Sequence, residues 1–292
     1  MSRRPFNPVF WALAHLGSRV RVPSPRFALI AGAPARETVS VPTRHGPVRC
    51  VVQRPGAGDP NPPVLLHLHG GGFVNRHPEQ DLHIAQHLAT RLGVVVVLPD
   101  YDTAPAVSYP VAEEQMLDVA QWARSGGRGW DGQRLLLSGI SAGAKLAINI
   151  CQLGPRPVAV SLVVPFTDAT RADRTSPGHR AAISPFVQRF VQWSYFPDAG
   201  RRREPLASPR HDPSLAALMP PTIIQTGALD TLAAEGRELA DSLRAAGVQV
   251  VFHEHDAADH DFYTTRSVLQ VLDAIVAFFE PRLPRAREEQ GF

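Results

Sequence analysis

Cysteine is scarce: only Cys50 and Cys151 occur in 292 residues, on segments that read as a buried strand and a buried helix. Their spacing offers neither a disulfide framework nor a metal-ligand pattern, so two reduced core thiols are expected. Lysine is scarcer still, since Lys145 is the only one and the net charge of +3 rests on arginine. Those arginines are scattered, with a run only at Arg201, Arg202 and Arg203, so the clustered cations of a nucleic-acid footprint are missing. Long apolar runs are also lacking. Val94–Leu98 and Ile275–Phe279 fall far short of the roughly 18 residues that a membrane-spanning helix needs. Low-complexity tracts and internal repeats are absent, and an apolar share of 44% against 20% charged excludes disorder of the whole chain.

What is present has a rhythm. Alternating "ETVSV" and "VRCVVQ" predict a hairpin, and the nearly continuous apolar runs "PVLLHLHG", "VVVVLP", "RLLLSG", "AVSLVVPF" and "PTIIQTG" predict buried strands. Helical spacing separates them around Gln80–Arg91, Ala112–Arg124, Ala142–Leu153 and "AAEGRELADSLRAAG"; "VQVVFHEH" and a helix over Thr265–Phe279 close the series. Strands alternating with helices imply an α/β fold with a mostly parallel central sheet covered on both faces. In such sheets, active groups gather beyond the carboxyl ends of the strands.

Two segments interrupt the rhythm. Residues 169–212 are rich in Arg and Pro yet contain "ISPFVQRFVQWSYF", where Phe186, Val187, Phe190, Val191 and Ser194 follow helical spacing. A stretch longer than an ordinary connection reads as a lid. At the N-terminus, "SRRPF" has the look of a twin-arginine export signal, but His15, Arg19, Arg21 and Arg26 break the apolar run that should follow. A cytoplasmic location is expected, with export or cell-envelope association as the alternative. Val9–Val22 is expected as a short amphipathic helix with Phe10, Trp11, Leu13 and Leu16 on one side, lying over something apolar. The tail 284–292 reads as frayed.

Chemistry concentrates in three places. Gly139, Ser141 and Gly143 form Gly-x-Ser-x-Gly where a strand gives way to a helix. A serine on that tight turn stands exposed, with small residues two before and two after letting the turn close. "HLHGGGF" ends another buried strand, and its bare backbone N–H groups suit an oxyanion. Gly71 and Gly72 are the candidate donors there, with the Ala142 N–H as the third, while His69 is expected to orient the loop. Third, Asp230 and His260 follow the last two strands, giving the chain order Ser, Asp, His. His253 and His255 are displaced into the strand, and Asp256, Asp259 and Asp261 crowd His260 too closely to act from a separate strand. His77, His83 and His87 read as surface histidines.

The motifs "HGGGF", Tyr101 to Pro105 with Tyr109-Pro110, "GISAG", "GALDTL" and "HDF", in this order, resemble the hormone-sensitive-lipase-like (HGGG-type) branch of α/β-hydrolase carboxylesterases over roughly Thr38 to Phe279. The chain departs from that pattern at Ile140, Ala144, Asp102 and Ala106, all supporting positions. The resemblance implies an α/β-hydrolase core at 37–168 and 213–283, with a helical cap built from residues 1–36 and 169–212. Phe73, Trp11, Phe186, Phe190 and Trp193 would then line the acyl pocket. It implies a serine carboxylesterase acting through an acyl-enzyme on Ser141, with short- to medium-chain acyl esters as small-molecule substrates. Amide or formamide hydrolysis with the same triad, or ligand binding without catalysis, are the alternatives. No cofactor or metal is required for this chemistry, no nucleic-acid partner or membrane span is expected, and a homodimer remains open.

Overall fold

Alternation pairs Arg36–Val41 (β1) with Val48–Gln53 (β2) as an antiparallel hairpin, Val39 opposite Cys50. In the computed structural model, which describes residues 7–19, 36–56, 58–76, 78–176, 181–262 and 267–283, this hairpin begins an eight-stranded sheet. The strand order is β1-β2-β4-β3-β5-β6-β7-β8, with Pro63–Leu68 (β3), Val95–Pro99 (β4), Asp131–Ile140 (β5), Ala159–Val163 (β6), Thr222–Gly227 (β7) and Val250–His255 (β8). From β4 onward every pair is parallel, and Leu66 lies opposite Leu137 at the centre.

Strand alternation divides the core between the two faces of the sheet. Leu66, Val97, Leu137, Leu162 and Ile224 point to the side covered by Val111–Arg124 (α3), Ala142–Leu153 (α4) and Ala233–Ala245 (α7). Leu65, Val96, Leu136, Val163 and Ile223 point to the other, covered by Leu82–Leu92 (α2) and Val268–Phe279 (α8). Because both faces are covered, the central strands are apolar throughout and show no polar alternation. Cys50 and Cys151 are buried free thiols whose burial pushes each up to about 12, which leaves them protonated and inert. His83 and His87, read from sequence as surface residues, are buried on α2, and burial holds both below the ordinary imidazole range. His77, residues 1–6 and 20–35, and the tail 284–292 lie outside the described residues.

Between β6 and β7 the chain leaves the sheet to form Pro185–Tyr195 (α5) and the short Leu215–Leu218 (α6). Pro185 at the first turn and the Ser184 hydroxyl, which accepts from Val187 N–H at 3.4 Å, start α5. The N-terminal helix is Pro8–Gly17 (α1), capped by Asn7, and it packs on α5 through Phe10. The Phe10 ring lies 5.4 Å from Phe186, 5.6 Å from Phe190 and 5.7 Å from Trp193. Trp11, Leu13 and Leu16, expected on the same side as Phe10, instead face solvent. A helix apolar on all sides has no periodicity to choose its inner face, and contact with α5 makes the choice.

The only lysine is fully buried. Lys145 on α4 pairs with Glu113 of α3 and donates to Asn149 Oδ1 at 2.9 Å. The other Glu113 oxygen accepts from the Tyr195 hydroxyl at 2.6 Å, and that hydroxyl accepts from Ala112 N–H at 3.0 Å. Burial pushes the Lys145 amine down from its ordinary value, and the Glu113 carboxylate opposes this. Removing one partner of such a pair strands the other charge in a dry interior, which costs about 3–5 kcal/mol. Lys145→Met should therefore lose about that much in urea denaturation, and Lys145→Met with Glu113→Gln should recover most of it; an unchanged midpoint for the single variant would refute the account.

Candidate functional site

Ser141 follows β5 directly and precedes the first turn of α4, with φ 54° and ψ −115°. For a residue with a Cβ this conformation costs of order 1–3 kcal/mol, and it persists because the backbone around it leaves no alternative. Ser141 N–H donates to Val163 O at 2.9 Å, tying the turn to β6. A Cβ on Gly139 would overlap the Gly143 carbonyl, and one on Gly143 would overlap the carbonyls of Leu68 and His69. Both glycines of the motif are therefore demanded by close backbone approach.

That approach sets the end of β3 beside the serine. Here the loop from His69 to Asn75 turns back, with Gly71 at φ 118°, Gly72 at φ 60° and Phe73 at φ 59°. Gly71 O accepts from the N–H groups of Val74 and Asn75, each at 3.0 Å, so the loop is closed on itself. The N–H groups of Gly71, Gly72 and Ala142 have no acceptor among the described residues. His69 stacks on Tyr101 with ring centroids 4.2 Å apart, and Tyr101 donates to His69 O at 2.8 Å. Its Nδ1 lies 2.6 Å from Gly70 O and burial holds the imidazole below its ordinary value, so a neutral His69 donates within the loop. Phe73 stacks on Tyr195, centroids 4.5 Å apart, which connects the loop to the Lys145–Glu113 pair.

Asp230 and His260 stand on the loops after β7 and β8, and the two loops are packed backbone to backbone. Leu229 N–H donates to Ala258 O at 2.9 Å, and a Cβ on Gly227 would overlap that same carbonyl. His260 Nδ1 is 2.9 Å from Asp230 Oδ2, and its Nε2 is 3.0 Å from Ser141 Oγ. A carboxylate only accepts, so Nδ1 carries the hydrogen and Nε2 is free to accept from the serine hydroxyl. The second oxygen of Asp230 accepts from Leu232 N–H at 3.0 Å. All three side chains are buried. His255 lies within β8 with its Nε2 3.0 Å from Gln225 Oε1, and Asp259 caps the His260 N–H at 2.7 Å, so neither rival occupies the site.

A cavity of about 290 Å³ opens onto Ser141 and His260, walled by Phe73, Phe166, Val187, Phe190 and Val191. Of the aromatics singled out from sequence, Phe73 and Phe190 line it, whereas Trp11, Phe186 and Trp193 stand outside. Trp11 lies tilted against His15, ring centroids 4.1 Å apart, and Phe186 edges against Phe10. Sequence reading missed the polar wall residues Asn75, Arg171, Arg174, Gln188 and Gln192. Arg174 pairs with buried Glu235; Gln188 and Gln192 each donate to a backbone carbonyl at 2.8 Å, of Arg174 and Ala169 respectively. Burial pushes Glu235 above the usual carboxylate range, Arg174 opposing. Nothing in linear spacing signals these contacts. Among the described residues no cluster of three or more His, Cys, Asp or Glu is placed to hold a metal ion, and no helix is long and apolar enough to cross a membrane. Gly143→Ala should cost at least about 3 kcal/mol in urea denaturation because a backbone must move; wild-type stability would show that α4 can retreat from β3 freely.

The alpha/beta hydrolase fold family matches residues 65–264. An ethyl acetate hydrolase of Pseudomonas putida is 30% identical over 267 residues, covering 84% of this chain and 82% of its own. An esterase of Gibberella moniliformis is 27% identical over 241 residues, covering 78% and 76%. Among solved structures, a hyperthermophilic esterase from Pyrobaculum calidifontis superposes with a TM-score of 0.80 at 24% identity, covering 95% of this chain and 98% of that one. The sheet order, the loop positions and these matches agree: the chain belongs to the α/β-hydrolase family, in its hormone-sensitive-lipase-like branch.

Proposed function

We propose that this protein is a serine hydrolase of carboxylic esters, with Ser141 as nucleophile, His260 as general base and acid, and Asp230 orienting the imidazole. The carrying observation is the unbroken hydrogen-bond chain Asp230–His260–Ser141 at the floor of an apolar pocket, beside backbone N–H groups that lack acceptors among the described residues. The names of the relatives, an ethyl acetate hydrolase and esterases, support the same reading.

In this mechanism His260 Nε2 takes the hydroxyl proton as Ser141 Oγ attacks the ester carbonyl. Negative charge develops on the carbonyl oxygen, which the N–H groups of Gly71, Gly72 and Ala142 receive, helped by the N-terminal dipole of α4. Collapse expels the alcohol, protonated by His260, and leaves an acyl-enzyme. Water, deprotonated by the same imidazole, then releases the acid. Asp230 holds the Nδ1 hydrogen of His260 and stabilises the imidazolium.

The cavity stands at the small end of the range for ligand sites, which supports short- to medium-chain acyl groups. Residues 1–36 and 169–212 then serve as the cap, α5 supplying the wall and α1 bracing it from outside. Asp259 Oδ2 accepts from Ala182 N–H at 2.9 Å, and Thr231 donates to Ile183 O at 3.1 Å, so the cap is fastened to the loops that carry the histidine and the acid.

p-Nitrophenyl esters from acetate to palmitate should be hydrolysed with a maximum at short chains, and Ser141→Ala should abolish turnover. No ester turnover by folded wild type would overturn the ester reading. Gly71→Ala should reduce kcat by about a hundredfold, since the added Cβ would lie 2.9 Å from the carbonyl oxygen and Cβ of Asn75. Phe190→Ala should raise the decanoate-to-butyrate rate ratio by roughly tenfold; an unchanged ratio would remove Phe190 from the acyl wall. His69→Gln should leave the shape of the pH profile of kcat unaltered, because burial keeps that imidazole neutral and it donates only within its own loop.

A further inference from the structure

Three residues with cationic side chains border the cavity: Arg171, Arg174 and His260. Two of them have carboxylate partners within the protein. His260 is held by Asp230 at 2.9 Å, and Arg174, 4% exposed, is paired with buried Glu235 while its Nη1 donates to Arg171 O at 2.7 Å. The two glutamine amides of the wall are spent as well. Gln188 donates to the carbonyls of Arg174 and Ile183 at 2.8 and 3.0 Å and accepts from Arg174 N–H at 3.0 Å. Gln192 donates to Ala169 O at 2.8 Å and accepts from Arg202 Nη1 at 3.2 Å. Arg171 differs from all of these. Its carbonyl is tied to Arg174, whereas its guanidinium has no hydrogen bond, ion pair or ring contact among the described residues.

The neighbouring carboxylates are committed elsewhere. Asp168 lies 3.3 Å from the Arg210 guanidinium and accepts from the Thr170 hydroxyl at 2.6 Å, Glu235 belongs to Arg174, and exposed Asp173 makes no ion pair among the described residues. Residues 177–180 read Pro-Gly-His-Arg, and outside the described residues acidic side chains occur only at Glu288 and Glu289. An apolar acyl group that fills the cavity strips water from a guanidinium that no protein group then satisfies, which opposes binding. A carboxylate on the ligand reverses the sign. It replaces the lost water with charge-assisted hydrogen bonds, strengthened by the apolar surroundings of Phe166, Ile183 and Leu232. We propose that Arg171 selects esters that carry a free carboxylate: half-esters of short dicarboxylic acids or acyl esters of short hydroxy acids. This rests on the ester reading above and names the substrate class for it.

Two pairs of esters test this. Monoethyl adipate against diethyl adipate, compared per ester bond, places the carboxylate on the acyl side; acetate release from 3-acetoxypropanoate against its methyl ester places it on the alcohol side. In wild type at least one charged ester should exceed its neutral counterpart by about tenfold in kcat/KM, and the pair that does so identifies the side. Arg171→Gln should bring that ratio near unity, Arg171→Lys should keep most of it, and Arg171→Glu should invert it. Calorimetry with Ser141→Ala needs no turnover: the preferred charged ester should bind about tenfold more tightly than its neutral counterpart, and Ser141→Ala with Arg171→Gln should lose the preference. If folded wild type hydrolyses no ester, the ester reading falls, and the binding preference still decides the role of Arg171. Neutral esters favoured in both pairs would overturn the proposal. So would an equal loss on charged and neutral esters in Arg171→Gln, which would make Arg171 a structural residue of the wall.

Discussion

The contact of the first turn of α4 with the end of β3 organises the rest of the site. No atom larger than hydrogen fits at Gly143 without overlapping the Leu68 carbonyl, and none fits at Gly139 without overlapping Gly143. With α4 pressed so closely on β3, Ser141 at the joint of β5 and α4 is forced to positive φ and its side chain rises above the sheet. The same closeness sets the Ala142 N–H beside the loop of Gly71 and Gly72. The Ser141 side chain and the N–H groups of Gly71, Gly72 and Ala142 are thus placed by one backbone constraint, with little left for side-chain packing to adjust.

Two buried ion pairs fasten the mobile-sounding parts of the architecture to this rigid centre. Lys145 and Glu113 join α4 to α3 and, through Tyr195, to the end of α5. Arg174 and Glu235 join the insertion to α7, with Glu235 also accepting from Thr167 N–H at 2.6 Å and Asp168 N–H at 3.1 Å. Such pairs rarely add stability over well-packed apolar groups. Their value here is geometric: each leaves its segment one satisfactory position, because any displacement strands a charge. The pocket wall is held at both ends in this way, by Tyr195 at the end of α5 and by Arg174 before its start.

The strands, the helices and the three candidate chemical groups were legible in the sequence because each rests on local rules. Continuous apolar runs mark β3, β4 and β5, glycine spacing marks the Ser141 turn, and loops after successive strands mark Asp230 and His260. What was hidden depends on partners distant in the chain. A lone lysine in a helix ordinarily reads as solvated, and only the fold brings Glu113 to Lys145 across 32 positions. The inner face of α1 was misassigned because its composition is nearly uniform, leaving Phe10 and Trp11 indistinguishable until α5 is present. His83 and His87 were misread because histidine has no fixed preference for surface or core, and α8 covers that side of α2.

The burial of Lys145 has one more chemical meaning. The single ε-amine of these 292 residues is inaccessible to solvent and paired with a carboxylate. Arginine guanidinium groups, which carry nearly all of its positive charge, are protonated at any physiological pH and are poor nucleophiles. Activated esters, which slowly acylate surface lysines of ordinary proteins, therefore find no lysine amine on this surface to react with.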